Sequence, residues 1–299
     1  MSKAGIIILN YNGWEDTIEC INGLSCIKYP HLIIVVDNSS YDESYGQLQH
    51  RLGKEIVLIR NAKNLGYAGG NNVGLKYAVE HDCDFLCVLN NDTIIEEDFL
   101  TPCINELIEH PDTGFVGPTL IDYKTGLVQS TGGDITIKKA IATQKNRDAH
   151  YGTLQDRIEC DYVGGACIAL KAEQLKRLGY IPESYFLFFE ETEWCYKSKK
   201  MGYRNICLGK VCIKHKGSVS INKTDGLNGY LLNRNRIAFA RRNCDKTSQA
   251  LFIYVALVAK NIIRMIALRK DAIRNINAYC DGWNKKVDLK RFPFILIKE

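Results

Sequence analysis

Three acidic stretches of this 299-residue chain stand where carboxylates can do chemistry. LCVLNND, residues 86–92, is an apolar run that stops on Asn90, Asn91 and Asp92. Such a run reads as a buried central strand whose C-terminal end opens into the crevice where open α/β sheets bind ligands. Asp92, flanked by amides, suits a hard divalent cation held through oxygen and shared with substrate phosphates. The same triplet also serves as turn and cap for a helix over 96–110, EEDFLTPCINELIEH. YFLFFEETEWCYKSKKMG, residues 185–202, sets four aromatics before Glu190, Glu191 and Glu193. The Glu193–Lys197 spacing predicts a helix closing at Gly202, with the carboxylates in a first turn where the macrodipole favours them. One of them, beside aromatic walls, could equally be a general base, ionised near neutral pH. Asp37, in HLIIVVDNSS (31–40), can accept from a ribose hydroxyl or a base N–H, or close an Asx-turn.

The elements that must position these groups alternate. AGIIILNY (4–11) is a strand, EDTIECINGLSCI (15–27) has helical spacing, and residues 31–40 and EIVLIRN (55–61) are strands. A Gly/Asn-rich loop, NLGYAGGNNVG (64–74), leads into a helix ending near His81, and the strand 84–90 follows. This order predicts parallel strands in a doubly wound sheet, so Asn10–Asn12, Asp37–Ser39 and Asn90–Asp92 converge on one edge. The loop glycines miss the dinucleotide spacing and no P-loop Lys is present, yet amides at a helix start suit a phosphate or nucleoside. Beyond the 96–109 helix, GFVGPTLID (114–122), LVQSTGGDITI (127–137) and DYVGGACIALK (161–171) read as strands, and 138–160 as a mobile polar loop. The sheet therefore turns mixed. Gly164–Gly165 within a strand implies a ligand's close approach or a bulge. VCIKHKGSVS (211–220) puts a lone histidine, His215, after a short strand.

Composition is that of a globular chain, 46% hydrophobic and 24% charged. The apolar run Gly5–Leu9 is too short for a signal peptide, which predicts a cytoplasmic protein. Twelve cysteines lie scattered through apolar segments without a CxxC pair, so they read as buried thiols in a reducing compartment. The net charge of +5 hides an asymmetry, −12 for residues 1–195 and +17 from Tyr196 onward. Helices are expected at 229–242 and 249–270. The second is interrupted by Lys260 and Arg264, and fits a membrane-surface helix or core packing better than a span.

Taken together, IIILNYNG, VVDNSS, NLGYAGGNNVG, LNND, GGACIALK, FFEETEWC, the histidine of HKGSVS and NRNRIAFARR resemble the motifs of family-2 inverting glycosyltransferases of GT-A fold. Within that family they are similar to the bacterial rhamnosyltransferase and galactofuranosyltransferase-like group. The motifs occur in family order over residues 4–242. The resemblance implies an α/β nucleotide-diphosphosugar transferase domain over 1–222, its mixed sheet mainly parallel in the N-terminal half, followed by a basic helical region, 223–299.

It also implies roles. Asn10, Tyr11, Asn12 and Asp37 would meet base and ribose; Asn64, Gly66, Gly70, Asn72 and Asn91 would hold the nucleotide. LNND stands in place of a DxD-type motif, with Asn90 where a first carboxylate is usual, leaving Asp92 and His215 for Mg²⁺ or Mn²⁺. Glu191 matches the family's base, one methylene longer than the usual Asp, with Glu190 as second choice. Gly165, Trp194 and Arg234 would face the diphosphate or the acceptor. The implied partners are a nucleotide-diphosphosugar and a glycan or polyprenyl-linked acceptor in cell-surface polysaccharide synthesis, with no nucleic acid. If the basic tail is an anchor, the protein is peripheral on the inner face of the plasma membrane. The competing classes are a catalytically silent nucleotide binder, a sugar nucleotidyltransferase, which would need a basic phosphate loop where LNYNGWED stands, and a nucleic-acid module, which would leave the acidic residues idle.

Overall fold

The computed structural model describes residues 2–217, 226–267 and 271–287. The first half alternates: β1 (Ala4–Asn10), α1 (Trp14–Gly23), β2 (His31–Asp37), α2 (Ser44–Arg51), β3 (Val57–Arg60), α3 (Gly66–Glu80) and β4 (Phe85–Asn90). β1 pairs in parallel with β2 and β4, and β2 with β3. Covered on both faces, β1 is a continuous apolar run, as a central parallel strand must be. The register sets Asn10 beside Asp37 and Leu9 beside Asn90, so the polar strand ends share one edge.

The second half is β5 (Thr93–Ile94), α4 (Leu100–Glu109), β6 (Thr113–Asp122), β7 (Val128–Ser130), β8 (Gly133–Thr136), β9 (Ile141–Gln144), β10 (Arg157–Cys160), β11 (Cys167–Lys171), α5 (Ala172–Leu178), α6 (Glu190–Lys200) and β12 (Arg204–His215). β11 lies antiparallel between β4 and β6, which makes the sheet mixed, in the order β10-β12-β6-β11-β4-β1-β2-β3. α7 (Leu227–Asn243), α8 (Thr247–Ile266) and α9 (Ala272–Trp283) follow. Side chains of β1 alternate between two cores, Ile6 and Ile8 facing Leu24 and Phe99, Ile7 facing Leu75 and Ile168. A third core of Tyr185, Ile237, Phe239, Ile253 and Tyr279 joins the C-terminal helices to the body.

Several expectations need correction. The 64–74 stretch is mostly helix. Gly66 turns the chain at φ +71°, and α3 starts there. A Cβ on Gly70 or Gly74 would strike Leu9 or Ile7 of β1, so these glycines let the helix lie close on the sheet. α4 begins at Leu100, because Asp98 accepts both the N–H and the hydroxyl of Thr101 and thereby caps it. Residues 138–160 carry β9 and β10, short and half-exposed strands whose alternation is too weak to read. Gly164 and Gly165 precede β11 rather than lie in it. α2 was not anticipated, since SYGQLQHR buries only Ser44 and Leu48 and has no apolar stripe. All twelve cysteines are free thiols, and eight are buried. The expected boundary at 222/223, the end of HKGSVS (218–220) and the last three residues of the 249–270 helix lie outside the described residues.

Candidate active site

The end of β4 meets the end of β12. Thr93 pairs with His215, and the Lys216 N–H donates to the Asp92 carbonyl at 3.0 Å. This brings His215 Nε2 to 3.1 Å from Asp92 Oδ1. On the other side of the ring, Nδ1 lies 2.7 Å from Oε1 of Gln129, on β7. A carboxamide oxygen only accepts, so Nδ1 donates to Gln129 and the ring is held with Nε2 towards Asp92. Nε2 is buried without a hydrogen-bond partner. One imidazole nitrogen and one carboxylate oxygen converging at this distance could serve together as ligands to a divalent cation such as Mn²⁺. Among the described residues no group of three His, Cys, Asp or Glu forms, so further ligands would come from phosphate or water.

α6 supplies the carboxylates. Glu190 is buried with neither oxygen hydrogen-bonded. Burial and the neighbouring Glu191 push its carboxyl well above the usual range, opposed in part by Arg234. Glu191 is only half-buried. A Cβ placed on Gly165 would lie 3.2 Å from Glu191 Cγ, so the close approach at that glycine is by this side chain. Burial raises the Glu191 carboxyl too, against backbone N–H groups that lower it. The next residue, Ala166, accepts the Asn90 N–H at 2.9 Å, which puts Glu191 on the same edge as Asp92. Tyr67 of α3 donates its hydroxyl to the Gly165 carbonyl at 2.8 Å. The expected Glu193–Lys197 pair does not form. Glu193 instead accepts from Tyr185, Arg242 and Asn243, while Lys197 donates to the Leu178 carbonyl.

At the other end of the edge, the Asn10 amide donates to Asp37 at 2.8 Å and its oxygen accepts from Thr17 at 2.9 Å. Asp37 also takes the Ser40 N–H and hydroxyl, which is the Asx-turn alternative, and both residues are fully buried. Asn91 donates to Gly13 and Thr17, and Asn64 accepts from Asn38 and the Gly66 N–H. Gly66 and Gly70 are buried, and Asn72 is occupied by the Ile181 backbone and Glu183. Trp194 is in the core, donating to Gly179 and packed on Phe115. Arg234 is buried and donates to the Ser184 and Lys286 carbonyls, not to an open site. The expectation that the side chains of Asn72, Trp194 and Arg234 face a ligand is thus corrected by burial; Asn10 and Asp37 are equally buried and spend their polar groups on Thr17, Ser40 and each other, and Gly66 and Gly70 are buried in α3.

Tyr11 and Asn12 stay accessible. They are joined by Tyr41, 57% exposed and edge-on to Tyr11 at 6.2 Å, whose N–H donates to Asn12. Asn12 (φ +53°) and Ser39 (φ +64°) hold left-handed backbone. Sequence reasoning missed Gln129, Tyr41 and Tyr67; of these only Tyr67, inside the NLGY motif, carried a signal.

Residues 5–178, more than half of the chain, match the family described as Glycosyl transferase family 2. The chain belongs to glycosyl transferase family 2. The match within this family includes Asp92 and ends before Glu190, Glu191 and His215. A relative from Haloferax volcanii, the low-salt glycan biosynthesis hexosyltransferase Agl10, is 29% identical over 215 residues, 70% of this chain; the chain spans 65% of that relative's length. GalNAc-T7, solved with UDP, GalNAc and Mn²⁺, superposes with a TM-score of 0.66 at 12% identity, over 99% of this chain and 57% of that one. The mannosyltransferase PcManGT from Pyrobaculum calidifontis, solved with GDP-Man and Mn²⁺, gives 0.57 at 16% identity over 94% and 85%. S. aureus TarS 1–349 with UDP gives 0.53 at 20% identity over 84% and 69%. The fold is therefore GT-A, a mixed and mostly parallel sheet followed by a helical region.

Proposed function

We propose that this family member is an inverting glycosyltransferase that moves a sugar from a nucleotide-diphosphate donor to a glycan or polyprenyl-linked acceptor in polysaccharide synthesis. One observation carries the reading: the Asp92–His215 pair stands at the end of β4, and the Asn90–Ala166 backbone bond ties that end to the glycine against which the half-buried Glu191 packs. The hexosyltransferase name of the Haloferax relative and the nucleotides and Mn²⁺ held by the solved neighbours support it. The motif resemblance favours rhamnosyl or galactofuranosyl transfer within this class.

In the proposed step the acceptor hydroxyl oxygen attacks the anomeric carbon from the face opposite the diphosphate. The new C–O bond forms as the bond to the diphosphate oxygen breaks, and its electron pair leaves on that oxygen. The hydroxyl proton passes to Glu191, whose raised pKa strengthens it as a base; such catalysis contributes about 10²–10⁴-fold. Glu190 is too buried to meet an acceptor. Asp92 and His215 would hold the divalent cation, which supplies positive charge against the departing diphosphate. Tyr11 and Tyr41 offer the accessible aromatic faces for the base.

The reading extends to the membrane. α8 is 20 residues long with mean hydropathy 1.5 and exposes Phe252 (73%), Val255, Ile263 and Ile266 (77%) beside Lys260 and Arg264. By length and composition it could span, but the basic residues and the +17 balance suit the anionic surface, where a polyprenyl-linked acceptor resides. Co-sedimentation with anionic liposomes that is lost in Phe252→Ser/Ile266→Ser is expected; equal sedimentation with and without liposomes refutes this part.

The test of the whole is a thermal-shift panel of UDP, GDP, dTDP and their sugars, with and without Mn²⁺, on wild type and Asp92→Ala. A Mn²⁺-dependent shift that the variant loses is expected, and it names the base. No shift with any of them overturns the donor site.

A further inference from the structure

The turn that delivers the carboxylates is held in an unusual state. Phe186, Phe188 and Phe189 have φ of +71°, +70° and +75°, left-handed backbone for three bulky residues within four positions. Such backbone persists only where the surroundings over-determine it. Phe189 immediately precedes α6 and makes no side-chain cap; its carbonyl accepts the Glu193 N–H of α6 and that of Phe186 accepts the Tyr67 N–H of α3, each at 2.9 Å.

α7 holds the remaining carbonyls of the turn. Asn235 is fully buried, and its amide nitrogen donates to the carbonyls of Tyr185 (3.3 Å), Leu187 (2.6 Å) and Phe188 (2.9 Å). Its oxygen accepts from Arg234 Nη1 at 2.9 Å, and the same Arg234 nitrogen donates to the Ser184 carbonyl at 2.7 Å. Two adjacent residues of one helix therefore engage four of the five carbonyls from 184 to 188. Lower down, Arg242 and Asn243 fasten α6 itself through Glu193. An apolar side chain could fill the space at 235. It could not donate to the carbonyls of Tyr185, Leu187 and Phe188, which a bulky left-handed turn leaves without helix or sheet partners.

We propose that Asn235 is a positioning residue: its amide holds the left-handed turn that sets Glu191 against Gly165. The inference rests on the reading of Glu191 as the base. With Glu191 Cγ in contact distance of Gly165, a displacement of about 1 Å at the start of α6 misplaces the carboxylate, and such shifts cost about 10²-fold in rate.

The experiment uses the full chain with Asn235→Asp, Asn235→Ala and, alongside, Glu191→Gln. Asn235→Asp keeps the shape and the acceptor for Arg234 but removes both amide donors. The probes are the nucleoside diphosphate and nucleotide sugar that stabilise wild type in the UDP, GDP and dTDP panel, with Mn²⁺ and with water as acceptor. Expected are a kcat about 100-fold lower in both Asn235 variants, an unchanged Kd for the nucleoside diphosphate, and faster amide exchange confined to 185–191. The acid limb of the rate should also move towards the ordinary carboxylate range as the turn opens Glu191 to water. A folded Asn235→Asp with wild-type kcat overturns the proposal, as does a rate loss matched by lost nucleotide affinity, or failure of both variants to fold, either of which makes the role structural. Full activity of Glu191→Gln refutes the base assignment, whereas an inactive Glu191→Gln beside an active Asn235→Asp refutes the positioning role alone.

Discussion

Replacing Gln129 by Leu removes the 2.7 Å partner of His215 Nδ1 and leaves Asp92 and His215 themselves intact. The imidazole then loses the hydrogen bond that fixes its tautomer and its orientation. Outer partners of this kind govern about 10–100-fold in metal affinity, or about 1.4–2.7 kcal/mol. The expectation here is the upper part of that range. Only two protein donors converge, and their side chains are 12% and 16% exposed, so water does little to hold the ring in their place. The direct assay is calorimetric titration of Mn²⁺ into protein saturated with the selected nucleoside diphosphate. Thermal unfolding gives a second reading. With Mn²⁺ at 100 times the wild-type Kd, wild type gains about 2.7 kcal/mol and a 100-fold weaker variant only about 0.4 kcal/mol. Mn²⁺ affinity within twofold of wild type in Gln129→Leu, or in His215→Ala, would sink the argument that Nε2 is a ligand.

The carboxylates predict a pH dependence of stability. Because the folded Glu190 keeps its proton to higher pH than the unfolded chain, the stability linked to it is fully present below the usual carboxylate value and is lost as pH rises through the raised folded value. Glu190→Gln removes that loss, so its stability should fall less than that of wild type between about pH 5 and pH 8, measured by denaturant titration; equal pH profiles for the two proteins contradict it. Turnover should climb with pH through an apparent pKa above the ordinary carboxylate range, and the Glu191→Gln variant should show no such limb. Trp194→Ala empties a core site and should cost about 3–5 kcal/mol without changing nucleotide affinity; weakened nucleotide binding at full stability would return Trp194 to the site. Tyr41→Ala should weaken the nucleoside diphosphate by about 1–3 kcal/mol if a base stacks there, and calorimetry decides.

The strand order of the first half was legible because β1, β2 and β4 are unbroken apolar runs ending in polar residues, and parallel register then forces Asn10 next to Asp37. The meeting of Asp92 with His215 was reachable only through the motif resemblance, since nothing local marks a lone histidine as a ligand. Gly70 and Gly74 misled for a physical reason. Glycine and asparagine read as loop by propensity, whereas here the tight approach of α3 to Leu9 and Ile7 selects glycine inside a helix. Arg234 and Trp194 have the right chemistry for a diphosphate or a sugar, and only burial shows that they spend it elsewhere. Gln129 acts on a residue 86 positions away and Asn235 on carbonyls 47 to 50 positions away, separations that no periodicity reports.

The grip of α7 on the Tyr185–Phe189 turn has a consequence in time. Synthesis proceeds from the N-terminus, so β1 to β4, with Asp92 and the tyrosine edge, leave the ribosome well before Asn235 does. A nascent chain can therefore close most of its sheet while the Glu191 turn has no amide to hold it left-handed. On the proposal that Asn235 positions Glu191, the carboxylate would be the last part of the edge to take its place, once the C-terminal helices have docked.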